Sequence, residues 1–209
     1  MEYNIVRTKR RTICLQIKRS GEIVVRAPLL ASKEEIHSFV HRHSAWLAHR
    51  IVRRGQRLRI ADGESLSLCG IGYTIAGGVP ARVEASVLFL PIERREEALI
   101  KPMRRMARTR MQRLLDEFCA RFGFQYSSLK ITSARGRWGS CSAKKRINFS
   151  FRTAFLPDAL AEYLAVHELC HTRQMNHGTL FWKEVGRILP DFAARRKALK
   201  DWLWAMECL

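Results

Sequence analysis

The feature that most constrains this chain is the run Val166-His167-Glu168-Leu169-Cys170-His171, followed by His177 after five intervening residues. The segment from Pro157 and Asp158 reads as helical, with Leu160 and Leu164 continuing the spacing of the two histidines and proline placed in a first turn. On a helix, residues four apart project from one face, so His167 and His171 can reach a single ion. Glu168 lies next to that face, where it can take a proton from water without binding the metal itself. A catalytic zinc needs a third protein ligand and one open position. Met175-Asn176-His177-Gly178 offers that ligand from a turn, with Asn176 and Gly178 as residues tolerant of left-handed backbone and the glycine as the expected helix stop. The metal set is therefore His167, His171 and His177, with Glu168 as general base and one Zn2+ as the cofactor. Three imidazoles suit zinc well.

The rest of the chain predicts a mixed architecture. Ile13, Leu15 and Ile17 share one parity, Gly21 supplies a turn, and Ile23-Val24-Val25 resumes before Pro28, which makes a hairpin. Ser32 followed by Glu34 and Glu35 starts a helix whose apolar positions Ile36, Val40, Trp46 and Ile51 carry it to about Arg54. His37, His41, His43 and His49 on that stretch have no carboxylate base or third ligand at a convincing spacing, and read as surface histidines. Residues 62–92 read as a small β-meander, with turns at Asp62-Gly63 and Gly77-Gly78. From Glu93 to about Phe122 a helical stripe of Leu99, Met103, Met106, Leu114 and Phe118 faces a core, with Pro102 as a kink or a fresh start. Arg104, Arg105, Arg108 and Arg113 fall on its exposed side. Lys130-Ile131-Thr132 and Ile147-Asn148-Phe149 read as strands around a tight turn at 135–142. Helices from about Thr179 and Asp191 close the core, with Phe192, Leu199, Trp202 and Leu203 pointing in and Phe181 and Trp182 as core residues.

Composition narrows the setting. Apolar residues make up 47% of 209, enough for a core without disulfide help. No stretch approaches a membrane span, and the N-terminus lacks a secretory layout, so a cytoplasmic protein is expected. Six cysteines without a CxxC pair read as reduced thiols. The net charge is +19, and it is concentrated: residues 1–60 hold 14 basic and 4 acidic side chains, and residues 101–152 hold 14 and 2. Such a surface attracts polyanions, nucleic acid included, although no known reader motif accompanies it.

Residues from about Ser133 to Trp202 resemble the YgjP-like metallopeptidase family, a minimal zincin group related to SprT/Spartan-type peptidases. The resemblance rests on Arg137-Trp138-Gly139-Ser140-Cys141-Ser142, Pro157, Tyr163, the run from Val166 to His171, Asn176-His177, Phe181-Trp182, Pro190 and Trp202. Weaker similarity covers the basic hairpin, Val25-Arg26-Ala27-Pro28 and Asp62-Gly63-Glu64. The resemblance implies zinc ligation by the three histidines and acid/base catalysis by Glu168, with Arg137 and Trp138 near the cleft. Tyr163 is a further candidate for transition-state support. Family members usually carry asparagine where Ser150 stands and a hydroxyl residue where Gly178 stands.

The expected fold is thus α+β: an N-terminal β-rich region with one helix (1–92), then a long connecting helix and a zincin-like metallopeptidase core, a small sheet plus the HExxH helix (93–209). The expected function is zinc-dependent hydrolysis of peptide bonds in protein or peptide substrates, with nucleic-acid-associated proteins suggested by the charge. The alternative is a basic nucleic-acid-binding module with a non-catalytic zinc site.

Overall fold

The computed structural model describes residues 3–17, 22–44, 58, 60–207 and 209, with the side chain of Glu207 left out. By contacts the chain divides into two compact units, residues 1–58 and 59–209.

In the first unit, β1 (Asn4–Thr8), β2 (Cys14–Ile17) and β3 (Ile23–Pro28) form a sheet in the order β1-β3-β2. The β2–β3 pair is the antiparallel hairpin read from the sequence, although Gly21 lies outside the described residues. β1 was not foreseen: it pairs parallel with β3, and four of its five residues are exposed, so it carries little hydrophobic pattern. Helix α1 (Lys33–Arg42) opens on a complete capping box: Glu35 N–H donates to Ser32 Oγ, and Ser32 N–H donates to the Glu35 carboxylate. It buries Ile36 and Val40 against Ile23, Val25 and Ala27. The first helical segment ends at Arg42 with His43 as its cap, and the continuation read toward Arg54 lies outside the described residues beyond Ser44. Trp46, His49 and Ile51 lie outside the described residues. His37 and His41 are exposed, and His37 Nδ1 meets the Tyr3 hydroxyl at 2.6 Å.

In the second unit, β4 (Ser65–Leu68), β5 (Ile71–Gly77), β6 (Arg82–Glu84) and β7 (Val87–Leu90) order as β4-β5-β7-β6. This corrects the meander: β7 lies beside β5 and parallel to it, while β6 is pushed to the edge. Leu88 and Leu90, fully buried, earn the inner place that Arg82 and Glu84 could not hold without desolvating their charges.

Helix α2 (Arg95–Phe122) is continuous through Pro102, with no fresh start there. Proline removes one backbone donor, and burial of Pro102 between Leu99 and Met103 on the packed face compensates. The buried stripe also takes Ala107, Met111 and Leu115, while Met106 is only half-buried. Gly123, at φ 66°, ends the helix in the left-handed conformation. A second sheet follows, with β8 (Ser128–Thr132), β9 (Gly139–Cys141) and β10 (Arg146–Ser150) in the order β8-β10-β9. The end of the glycine-rich turn is thus itself a strand, antiparallel to β10 at the sheet edge. A short 3-10 turn (Phe151–Phe155) leads to α3 (Asp158–His171), then α4 (Thr179–Ile188), α5 (Phe192–Leu199) and α6 (Leu203–Glu207). Phe192, Leu199 and Trp202 are half-buried; Leu203 faces solvent, and Ala205 and Met206 pack inward in its place. Among the described residues, no helix is long and apolar enough to cross a membrane.

Buried arginines join these pieces. Arg110, 7% exposed, donates to Leu156 O and to Asp158 Oδ1, both at 2.7 Å, so the middle of α2 holds the start of α3. Arg152 donates to the Ser133 and Ala134 carbonyls. Arg110→Met is expected to cost about 2–4 kcal/mol in chemical denaturation, because it strands a buried carbonyl and unpairs Asp158. A loss below about 0.5 kcal/mol would show that the tie adds no net stability.

Candidate metal centre

α3 carries His167 and His171 one turn apart, and the loop after it returns His177. His177 Nε2 stands 3.1 Å from His171 Nε2 and 3.1 Å from His167 Nε2. Two ligands at ~2.0–2.1 Å from one tetrahedral ion lie ~3.3 Å apart, so the spacing fits a shared ion. These three residues form a group able to hold a metal. The tautomer supports this reading. His171 Nδ1 lies 3.0 Å from Gln174 O; a carbonyl only accepts, so Nδ1 carries the proton and Nε2 is left as a lone pair. Burial lowers the His171 pKa, and it pushes that of His167 down to about 3 with help from the two neighbouring imidazoles. A cation between the three Nε2 atoms would take up lone pairs that otherwise face one another at this spacing.

Phe181, fully buried, touches all three rings, stacking on His171 at 4.5 Å and meeting His177 and His167 edge-on at 4.8 and 5.0 Å. Trp182 stacks on His177 at 5.6 Å. The two aromatic residues expected in the core therefore also form the floor and side of the histidine cluster. The turn itself differs from the expectation. α3 ends at Thr172 in right-handed geometry, and Gly178, at φ −77° and ψ −175°, is the extended N-cap of α4. Neither Gly178 nor Asn176 adopts left-handed backbone. Arg173 fixes the end of α3 by donating to Glu184 and to the Phe122 and Gly123 carbonyls.

Glu168 is 4% exposed, and its Oε2 is buried without a hydrogen-bond partner. Burial raises its pKa to about 8, against a lowering influence from Arg137. Its carboxylate lies on the backbone of β9: a Cβ added to Gly139 would stand 2.5 Å from Glu168 Oε1 and 2.9 Å from its Cδ. Only glycine allows this approach. The same strand brings Cys141 near Glu168, whose charge joins burial in pushing the thiol up to about 11. Tyr163, one turn before His167 and buried, has its ring 5.7 Å from that imidazole. Arg137 is exposed, and Trp138 is buried with Nε1 unpartnered. Ser150 is structural: its hydroxyl donates to Ala134 O and accepts from Arg152 N–H.

A family model described as the YgjP-like metallopeptidase domain matches residues 11–202. The chain belongs to the YgjP-like metallopeptidase family. No curated protein and no solved structure matches it. Membership makes this chain a metallopeptidase-family protein, for which zinc is the typical metal, and the three-histidine cluster is compatible with that. The family match spans both units, so the β2–β3 hairpin and α1 fall within the YgjP-like domain, while β1 precedes the matched residues.

Two outcomes follow for this YgjP-like chain. Gly139→Ala is expected to keep the fold but to lose about 1–3 kcal/mol in denaturant melts, since helix and strand must part around the new methyl; an unchanged midpoint would place the carboxylate elsewhere. In metal-stripped protein, Glu168 is protonated when folded up to about pH 8 and ionised when unfolded above its ordinary 4.5. Its contribution is therefore most favourable below pH 4.5 and is lost as pH rises to about 8. The stability gained by Glu168→Gln over wild type should grow across that window, by on the order of 5 kcal/mol, and a flat difference would refute the buried-acid assignment.

Proposed function

We propose that the protein hydrolyses peptide bonds at a single zinc held by His167, His171 and His177, with Glu168 as the general base. The observation that carries this reading is the convergence of three imidazole nitrogens, with a buried carboxyl that lacks a hydrogen-bond partner at Oε2 on the residue after His167. When bound, zinc supplies Lewis-acid polarisation of the scissile carbonyl and makes water acidic enough to react near neutral pH. Glu168 takes the proton from the attacking water and returns it to the leaving amine. Its raised pKa before the metal binds falls as the cation arrives, which leaves a base poised close to working pH. Tyr163, on the ligand face of α3, and Arg137, whose charge reaches Glu168, support the developing negative charge. Trp138 holds the turn that delivers Gly139, through the bond from Ser150 N–H to Trp138 O.

The edges of the second sheet support a peptide as substrate. β9 pairs only with β10, and no other described backbone segment bonds to its outer side. The outer edge of β8 is closed instead, because Arg104 donates to Ile131 O at 3.1 Å and also reaches the Ser133 hydroxyl. An extended chain adding to β9 would pass beside Glu168, whose carboxylate rests on that strand.

The excess of positive charge favours the other reading, a basic nucleic-acid-binding module with a non-catalytic zinc. A structural zinc site closes its fourth position and has no use for an unpaired acid beside it, so Glu168 favours the peptidase. Glu168→Gln should retain one zinc per chain by elemental analysis while turnover of a generic peptide substrate falls ~10²–10⁴-fold. His177→Ala should lose the zinc itself. Equal turnover in the glutamine variant would remove Glu168 from the chemistry.

A further inference from the structure

The carboxylates around the metal centre are almost all committed. Asp158 pairs with Arg110, Glu162 and Asp191 with Arg195, and Glu184 with Arg173 and Arg187. Among the described residues of α3, α4 and α5 and the turns between them, Glu168 alone has no cation at ion-pair distance. The strands beside the centre add no acid at all: residues 118–157 contain eight Lys and Arg and neither Asp nor Glu.

Two arginines at the centre are correspondingly free. Among the described residues, Arg137 and Arg196 form no hydrogen bond or ion pair. Arg196 is nonetheless held in place. Its guanidinium carbon lies 4.6 Å from the centroid of the Trp182 ring, and Trp182 in turn stacks on His177. Phe192, one turn earlier on α5, stacks on the same tryptophan at 5.5 Å and 15°. Its neighbour Arg195 anchors α5 to α3 by donating to Ala159 O and Glu162. The charge of Arg196 acts on both His167 and Tyr163. A guanidinium engaged through its face keeps its N–H edge free, and that fork matches a carboxylate in two parallel hydrogen bonds.

We propose that the centre selects peptides carrying a carboxylate near the scissile bond, with Arg196 on its tryptophan platform as the receiving group and Arg137 adding positive charge. The proposal rests on the peptidase reading above and names its substrate class. The carboxylate comes from an acidic side chain or from a free C-terminus; both present the same planar anion. Arg196 is a specificity residue and takes no proton.

The test uses the zinc-loaded full chain and a peptide set capped at both ends, with a single Glu, Gln or Lys scanned across positions flanking the scissile bond. A matched set ends in a free carboxylate. Glu peptides, or those with the free terminus, should exceed Lys peptides in kcat/KM by about tenfold or more. Arg196→Glu should reverse that order, Arg196→Gln should flatten it, and Arg196→Lys should retain part of it. An order unchanged in both the Glu and the Gln variants would overturn the proposal. If no peptide is turned over at all, the peptidase reading has failed, and binding still decides the selectivity. Fluorescent Glu peptides should bind zinc-loaded Glu168→Gln protein more tightly than Lys peptides, and adding Arg196→Glu should abolish the difference. Equal binding would overturn the proposal. So would an oligothymidylate that displaces the peptide in an Arg196-dependent way and binds more tightly, since the site would then be one for phosphate.

Discussion

The contact between the Glu168 carboxylate and the backbone of Gly139 is the constraint on which the rest of the centre depends. It brings a helix and an edge strand closer than any side chain with a Cβ would permit. It also removes an ionisable group from water at a cost that the isolated fold does not recover. The strand could be held further off with less strain on the carboxyl, and the helix could bury an apolar residue there. The arrangement becomes sensible once a cation occupies the space between His167, His171 and His177, because the same burial that penalises the acid alone then strengthens its attraction to the ion.

Holding that approach takes more than the two elements that make it. Phe181 fills the space beneath all three imidazoles, so packing by itself goes far to set their orientation. Arginines span the gaps between elements: Arg110 from α2 to the start of α3, Arg173 from the end of α3 to the end of α2, and Arg195 from α5 back to α3. A helix clamped at both ends and backed by a ring cluster keeps its two histidines in a fixed relation to His177, as a metal site would require.

Much of this was legible in the sequence, for identifiable reasons. The histidines and Glu168 could be read because helical spacing converts directly into a shared face, and the strand at 147–149 because its alternation is regular. What escaped depended on partners far away in the chain. β1 carries few buried residues, so its pairing with β3 left no hydrophobic trace. The β5–β7 neighbourhood inverts sequence order, which no local pattern encodes. Gly178 was read as a stop for α3, whereas it opens α4; a glycine serves either role, and the deciding contact, Trp182 N–H to Gly178 O, belongs to the following helix. Arg196 looked like any surface arginine, since nothing in the sequence tells it apart from Arg195 beside it.

The unpaired edge of β9 has a cost as well as a use. An open strand edge offers its backbone to any extended chain, including the same edge on another copy of the protein, and that is the usual start of sheet-to-sheet aggregation. Here the sheet bearing the edge carries Lys130, Lys144, Lys145 and Arg146 with no acidic residue among its strands and turns. Two such sheets approaching edge to edge bring like charges together. The positive field around this sheet thus acts as a colloidal safeguard, one that weakens as salt shortens the reach of the charges. A protein built this way stays dispersed most securely at low ionic strength.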